Sequence, residues 1–383
     1  MILYGKQDLN QADIDAVIDV LQSDWLTQGP KVPAFEQAVC DFTGAKHAVA
    51  VNSATSALHI ACLALGVGSG DLVWTSPITF VASANCALYC GAGIDFVDVD
   101  IATGNMCPRA LEKKLVEAKA KGALPKVVIP VHLCGHSCDM QAISALAKEY
   151  GFKVIEDASH AIGGSFHGNR IGSGHYSDIT IFSFHPVKII TSAEGGMALT
   201  NDDALSTVLR LLRSHGITKD SDTMYLADEG DWYYEQHLLG FNYRMTDIQA
   251  ALGLSQMNRL DDFVTRRNLL ATEYRECLGD DNRVAIVEPL DESLSSWHLM
   301  VIRLMEPDSR RKIFDDMRQQ GIQVHVHYFP VYLQPYYQTR FGFKAGYCPN
   351  AEQFYHAILT LPLHVNIQDT QVRDICSQLG DLL

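Results

Sequence analysis

The sequence predicts an α/β protein: a mostly parallel central sheet with helices on both faces, joined to a smaller C-terminal α+β domain. Three observations carry that prediction. Short β-rich runs alternate with longer helical ones over the first half of the chain. A long helical pattern follows near residue 250, and beyond it strands and helices mix without that alternation. The length, 383 residues, exceeds the roughly 250–300 at which one core stops growing. The expected division is a large domain over 1–250, with the N-terminal segment, and a small one over 251–383.

The elements read in order. "NQADIDAVIDVLQS" opens with Asn10 as N-cap, and Ile14, Val17, Ile18 and Leu21 follow at helical spacing. "LTQGPKVP" reads as a loop, and Phe35, Val39 and Phe42 mark a second helix. Strand-like "HAVAV" then meets helical "TSALHIACLAL", and "DLVWTS" meets "TFVASANCALYC". "IDFVDVD" precedes "PRALEKKLVEAKAK", "KVVIPVH" precedes "DMQAISALAKEY", and "KVIED" closes the series. "ITIFSF" and "GMALTN" are strands around a turn, and "MTDIQAALGLSQMNRLDDFVTRRNLL" reads as one long helix between the two domains.

Composition narrows the function. Lys and Arg number 30 against 45 Asp and Glu, a formal charge of −15 that argues against nucleic-acid or anionic-membrane partners. An anionic ligand therefore needs a local site. Residues 72–94 carry no charge, but Pro, Ser, Thr, Asn and Gly interrupt the run, so a buried strand–helix pair is expected rather than a membrane span. "MILYGKQDLN" shows no basic-then-apolar leader, and 10 scattered cysteines read as reduced thiols, so a cytoplasmic protein is expected. "HLCGHSC" places His132, Cys134, His136 and Cys138 at alternating positions. Four N/S ligands suit zinc, but a flat row within seven residues closes a tetrahedron poorly, and no metal is expected.

The chemistry centres on "SFHPVKIITSAEGG". Lys188 sits among Pro186, Val187, Ile189 and Ile190, where a charge is unwelcome. Either it is a stray charge on a strand, or its amine is meant to lose a proton and react. A reactive lysine implies a Schiff base with an aldehyde cofactor, and pyridoxal phosphate fits. That group needs a carboxylate at its ring nitrogen, an anion cradle and a flat cover. Asp157 ends "KVIED", "NSATSALHIA" brings Thr55 and Ser56 to a helix start, and Ser183 adds a hydroxyl. Phe80 can cover the ring. Taken singly, each has a plainer role: a strand-end cap, a helix start, a core ring. Their chain order and their places after strand ends make one cleft the economical reading.

The sequence resembles the DegT/DnrJ/EryC1/StrS family of sugar aminotransferases along essentially its whole length. "LTQGPKVPAFE", "NSATSALHIA", "VIEDASHAIGG", "IFSFHPVKIITSAEGG", "FNYRMTDIQAALG" and "HVHYFPVYLQPYY" follow that family's blocks in order. The resemblance implies the fold-type I architecture, with Lys188 as the Schiff-base residue and Asp157 at the ring nitrogen. It implies Thr55, Ser56 and Ser183 at the phosphate, Phe80 on the ring and His160 near the phenolic oxygen. Asn242 would reach the phosphate of a neighbouring subunit, making a homodimer with shared sites the working unit. Tyr4, Lys31, His327 and Tyr328 would meet the sugar nucleotide, with Lys31 at the diphosphate.

"VWTSPITFVASANCALYCGA", "SHGITKD" and "WYYEQHLLGFNYRMTDIQAALGLSQ" carry a narrower likeness. It points to members that move an amine from L-glutamate to C4 of UDP-2-acetamido-2,6-dideoxy-β-L-arabino-hexos-4-ulose, in pseudaminic acid biosynthesis. The cofactor would alternate between pyridoxal and pyridoxamine 5'-phosphate. "KIITSA" and "HLCGHSC" depart locally from the family pattern. Three other readings stand beside this one: an aminotransferase for a different nucleotide-linked 4-ketosugar, a ketosugar dehydratase, and a non-enzymatic regulator of the same fold. Lys188 argues against the dehydratase, whose relatives carry histidine there. Retention of both Lys188 and Asp157 argues against the regulator.

Overall fold

The structure, a computed structural model, describes residues 1–226 and 229–383. Helices α1 (Gln11–Leu21) and α2 (Lys31–Thr43) come first. The chain then alternates β1 (His47–Val51), α3 (Ala54–Ala64), β2 (Leu72–Thr75), α4 (Ala82–Tyr89) and β3 (Gly93–Phe96). It continues with α5 (Pro108–Lys121), β4 (Val127–Ile129), α6 (Met140–Tyr150) and β5 (Lys153–Asp157). A short hairpin, β6 (Ser165–Phe166) and β7 (Asn169–Arg170), precedes β8 (Ile179–Ser183), β9 (Gly196–Thr200) and α7 (Asp203–Arg213). Two more short strands, β10 (Ile217–Thr218) and β11 (Glu235–Gln236), lead to α8 (Asp247–Met257) and α9 (Leu260–Leu278). The rest is β12 (Val284–Ile286), β13 (Ser293–Leu294), β14 (Met300–Leu304), α10 (Arg310–Gln319), α11 (Pro335–Phe341), α12 (Pro349–Ala357), β15 (Ile358–Leu361) and α13 (Asp369–Leu382).

Seven strands form the main sheet in the order β1-β9-β8-β5-β4-β2-β3. Neighbours from β8 to β3 pair in parallel, whereas β9 runs antiparallel to both β1 and β8. Alternation along each strand explains the two helical layers. Val49, Val51, Val73, Val127 and Ile129 join α3 and α4 in one apolar cluster. Their sequence neighbours face the other way: Ala48 and Ala50 meet α2 and α8, while Trp74 and Val128 meet α5 and α6. A strand buried on both faces reads as a continuous apolar run, which is what "HAVAV" and "VVI" are.

A second, three-stranded sheet, β12-β14-β15, packs with α9, α10 and α13 around Trp297 and Tyr274. The N-terminus joins this C-terminal unit: Ile2 N–H donates to Gly321 O at 2.8 Å, and Leu363 N–H donates to Tyr4 O at 3.0 Å.

Two local expectations differ from the structure. The helix expected to run unbroken past residue 250 is interrupted, because Asn258 and Arg259 close on Ser255 and Gln256 in three-residue turns. The Arg259 side chain is drawn off to Asp8 and Asp13, tying the break to the N-terminal segment. Lys31 and Pro33 belong to the first turn of α2 rather than to a loop, and a proline that early costs no helical hydrogen bond. No helix among the described residues is long and apolar enough to cross a membrane.

Candidate active site

A cavity of about 530 Å³ opens where the parallel strands end. It gathers nine of the residues singled out from sequence: Tyr4, Thr55, Phe80, Asp157, His160, Ser183, Lys188, His327 and Tyr328. The placement follows from topology, because Ser53, Asp157 and Ser183 each stand at or just beyond the carboxyl end of a strand.

Lys188 lies in a turn closed by Phe184 N–H donating to Gly195 O at 2.9 Å and Ser192 N–H donating to Phe184 O at 3.0 Å. Gly195 leaves room there for the Ser192 hydroxyl, since a Cβ would sit 2.2 Å from its Oγ. Burial of the amine lowers its pKa to about 8, with the Asp157 carboxylate acting in the opposite direction. At pH 7 roughly a tenth of such amines are neutral, against well under about a hundredth for an ordinary lysine.

Asp157 is buried and held by three donors. Ser83 Oγ donates to Oδ2 at 2.6 Å, and Ser159 donates to Oδ1 from Oγ at 2.6 Å and from its N–H at 3.2 Å. Thr79 Oγ1 lies 2.8 Å from Ser83 Oγ, so the turn carrying Phe80 also braces the carboxylate. Hydrogen bonds of this charge-assisted kind fix the orientation of the carboxylate. Phe80 itself is 60% exposed and forms part of the cavity wall.

The helix start at α3 is capped by Ser53, whose Oγ accepts from Ser56 N–H at 3.1 Å. Ser56 departs from expectation. Its hydroxyl donates to Asn52 Oδ1 at 2.7 Å and it does not line the cavity. Ser53, Ala54 and Thr55 do. Gly196 lets β9 approach this turn, for a Cβ there would lie 2.4 Å from Ala54 N.

The remaining wall is rich in histidine. His160 Nε2 lies 3.4 Å from Tyr328 Oη, and its ring centroid is 4.3 Å from that of His298. His327 Nδ1 pairs with Thr360 Oγ1 at 3.0 Å, and its ring stacks on His325 at 4.4 Å. Tyr4 approaches both of those rings at 5.4 Å. Burial lowers the pKa of His160 and His298 well below the usual range, and that of His327 to about 3. His298, His325, His185, Glu194, Ser83 and Ser159 line the site or brace it without having been singled out from sequence. The alternation in "HVHY" could have flagged His325 beside His327, and Ser83 stands one helical turn after Phe80.

Lys31 and Asn242 are not among the cavity residues of this chain. Lys31 N–H donates to Asp247 Oδ1 at 2.8 Å, and Asn242 is exposed beside Ser214. The "HLCGHSC" side chains diverge. Cys134 sits in a turn at φ 63°, His132 pairs with Glu156 at 2.7 Å and His136 with Ser295 at 2.7 Å. Burial opposes charge on His132, yet its contacts with Cys138 and Glu156 outweigh that and raise it to about 10. Among the described residues, no group of three or more His, Cys, Asp or Glu side chains is arranged to hold a metal ion.

The mostly parallel sheet, with Lys188 and the hydroxyl-braced Asp157 in one cavity at its strand ends, has the architecture of the fold-type I aminotransferases. The chain belongs to the DegT/DnrJ/EryC1/StrS aminotransferase family, whose model matches residues 7–380. Spore coat polysaccharide biosynthesis protein SpsC of Bacillus subtilis is 39% identical, over 99% of this chain and 96% of that one. A UDP-4-amino-4,6-dideoxy-N-acetyl-β-L-altrosamine transaminase of Campylobacter jejuni is 38% identical, over 97% and 95%. Among solved structures, Helicobacter pylori PseC, an aminotransferase involved in pseudaminic acid biosynthesis, superposes with a TM-score of 0.92. It shares 33% identity over 100% of this chain and 98% of that one.

Proposed function

We propose that this aminotransferase moves an amino group from L-glutamate to C4 of a UDP-4-keto-6-deoxy-N-acetylhexosamine. The substrate proposed is UDP-2-acetamido-2,6-dideoxy-β-L-arabino-hexos-4-ulose, in pseudaminic acid biosynthesis. The observation that carries the chemistry is the Lys188 amine, lowered to about 8, in one cavity with the braced Asp157 carboxylate. The names of the Campylobacter and Helicobacter relatives support the sugar. SpsC, named for spore coat polysaccharide, supports an alternative in which the same chemistry serves a different nucleotide-linked 4-ketosugar.

The residues fit pyridoxal 5'-phosphate. The first turn of α3 with Thr55 and Ser183 would hold its phosphate, Phe80 would cover its ring, and Asp157 would accept from its ring nitrogen. His160, with Nδ1 buried and unpartnered, would face its phenolic oxygen. When bound, that group supplies an electron sink for the carbanion left at the donor's Cα. Lys188 Nζ takes the proton from that Cα, being neutral in part at physiological pH, and later returns one to C4 of the sugar. Asp157 is held in place by Ser83 and Ser159.

The division proposed is a large unit over residues 1–250, apart from the N-terminal segment that packs on the second unit, and a small one over 251–383, with two copies of the chain sharing their sites. In this reading Asn242 reaches the phosphate of the neighbouring subunit, and Lys31 serves the diphosphate at the cleft mouth.

The test is a panel of UDP-4-ketosugars offered with L-glutamate, with products resolved by mass and by stereochemistry at C4. Preferred amination of the β-L-arabino ketosugar supports the proposal. Preference for another epimer by an order of magnitude selects the alternative.

A further inference from the structure

Lys188 is the only Lys or Arg among the residues lining the cavity. An amino donor nevertheless brings an α-carboxylate bonded to the very Cα that Lys188 must reach. Asp157 and Glu194, the acids of the cavity, cannot receive it. His327 is committed to Thr360, His160 is paired with Tyr328, and His185 and His325 stand open to water. His160 and His298 both line the cavity, are 5% exposed and bury an Nδ1 without a partner, but His298 has in addition its backbone carbonyl held by a buried guanidinium.

Behind it lies Arg267 of α9, among the largest fully buried side chains of the molecule. Its Nη1 donates to the carbonyls of Trp297 at 3.0 Å, His298 at 3.3 Å and Leu363 at 3.1 Å. Its Nε has no partner, and no carboxylate offsets the cost of its burial. A buried cation without an acid is costly unless a counter-charge arrives from outside the chain. Its field reaches His298, as does that of Lys188.

We infer that His298, backed by the unpaired Arg267 guanidinium, forms the subsite for the α-carboxylate of the amino donor. The assignment rests on the aminotransferase reading for the donor's identity. His298 contacts the carboxylate. Arg267 is a positioning residue: it fixes the Trp297–His298 backbone through two carbonyls and supplies the local positive potential. The donor's negative charge completes a pairing that the folded chain leaves open.

The test compares L-glutamate with 4-aminobutyrate, the same skeleton without the α-carboxylate, in the half-reaction of cofactor-loaded enzyme. Titration with glutarate measures carboxylate binding without turnover. In His298→Leu, the preference for glutamate over 4-aminobutyrate should fall by about tenfold or more, through loss for glutamate alone. The Kd for glutarate should rise by a similar factor, while the KM for the UDP-sugar holds. Arg267→Met should move both readouts the same way; should it fail to fold, His298→Leu still decides. An unchanged preference and glutarate Kd in folded His298→Leu would overturn the subsite, as would equal loss for both amines. Wild-type enzyme that accepts no amino acid would instead overturn the aminotransferase reading, which the glutarate titration does not depend on.

Discussion

The two sides of the cavity are built on opposite terms. On the side supplied by the main sheet, the carboxylate and the helix start are satisfied before any ligand arrives: Asp157 accepts from Ser83 and Ser159, and Ser53 caps α3. On the histidine side, His160 and His298 each bury an Nδ1 with no partner, and Arg267 buries a cation with no acid. Buried polar atoms without partners are rare because each costs stability. The difference teaches where reacting groups are fixed and where ligand charge and hydrogen bonds are still to be supplied. Substitutions on the satisfied side should therefore strike the rate of both half-reactions. Those on the histidine side should strike affinity for one substrate at a time.

The sharpest break is at Lys188. Lys188→Ala should abolish both half-reactions, and Lys188→Arg should do the same, because a guanidinium stays protonated at any working pH. Wild-type turnover in either variant would remove the lysine from the mechanism.

Asp157→Asn comes next. An amide keeps the shape, and the Ser83 and Ser159 hydroxyls can rotate to suit it, but it cannot hold a ring nitrogen protonated. Both half-reactions should slow by about 10²–10³-fold, the range for removing one preorganised electrostatic group. Single-turnover rates measured with each substrate check this. A loss confined to one half-reaction would erase the contrast between the two sides.

The same contrast separates what the sequence disclosed from what it hid. Thr55, Phe80, Asp157, Ser183 and Lys188 were legible because each follows a strand-like run in its own stretch of chain, and strand ends in a parallel sheet face one cleft. The two helical layers were legible for the same local reason, through alternation and helical spacing. His298 was not. Its neighbours in "SSWHLMV" read as a plain strand start, and what makes it unusual is a guanidinium 31 positions away that grips its carbonyl. Ser56 stands outside the cavity lining because its hydroxyl turns to Asn52 instead of to the cleft. The break after α8 was hidden because it depends on Arg259 reaching Asp8 and Asp13, some 250 residues earlier.

His327→Gln probes the other side. Its amide can still reach Thr360 but cannot stack on His325 or meet Tyr4 as the imidazole does. The KM for the UDP-ketosugar should rise by about 1 kcal/mol, roughly fivefold, as expected for one aromatic contact. The glutamate half-reaction should stay within about twofold, because the imidazole packs against Tyr4 and His325 rather than against the Lys188 amine. Equal damage to both half-reactions would show that the histidine side positions the reacting groups as well.

The smallest effect should come from Ser83→Ala. The substitution removes one of three donors to Asp157 and leaves Ser159 in place, so the carboxylate remains oriented. Thr79, which loses its own partner at 2.8 Å, can turn toward the vacated site. After that compensation the missing bond is worth about 0.5 kcal/mol, a rate loss of roughly twofold. Because Asp157 serves both substrates, the loss should be the same in the two half-reactions, with each KM unchanged. Ser83→Thr, which restores a hydroxyl on the same helical turn, should recover most of the rate. Recovery by threonine with a parallel drop in both half-reactions would place Ser83 with the satisfied side. A KM change for one substrate alone would move it to the ligand-completed side and redraw the boundary between them.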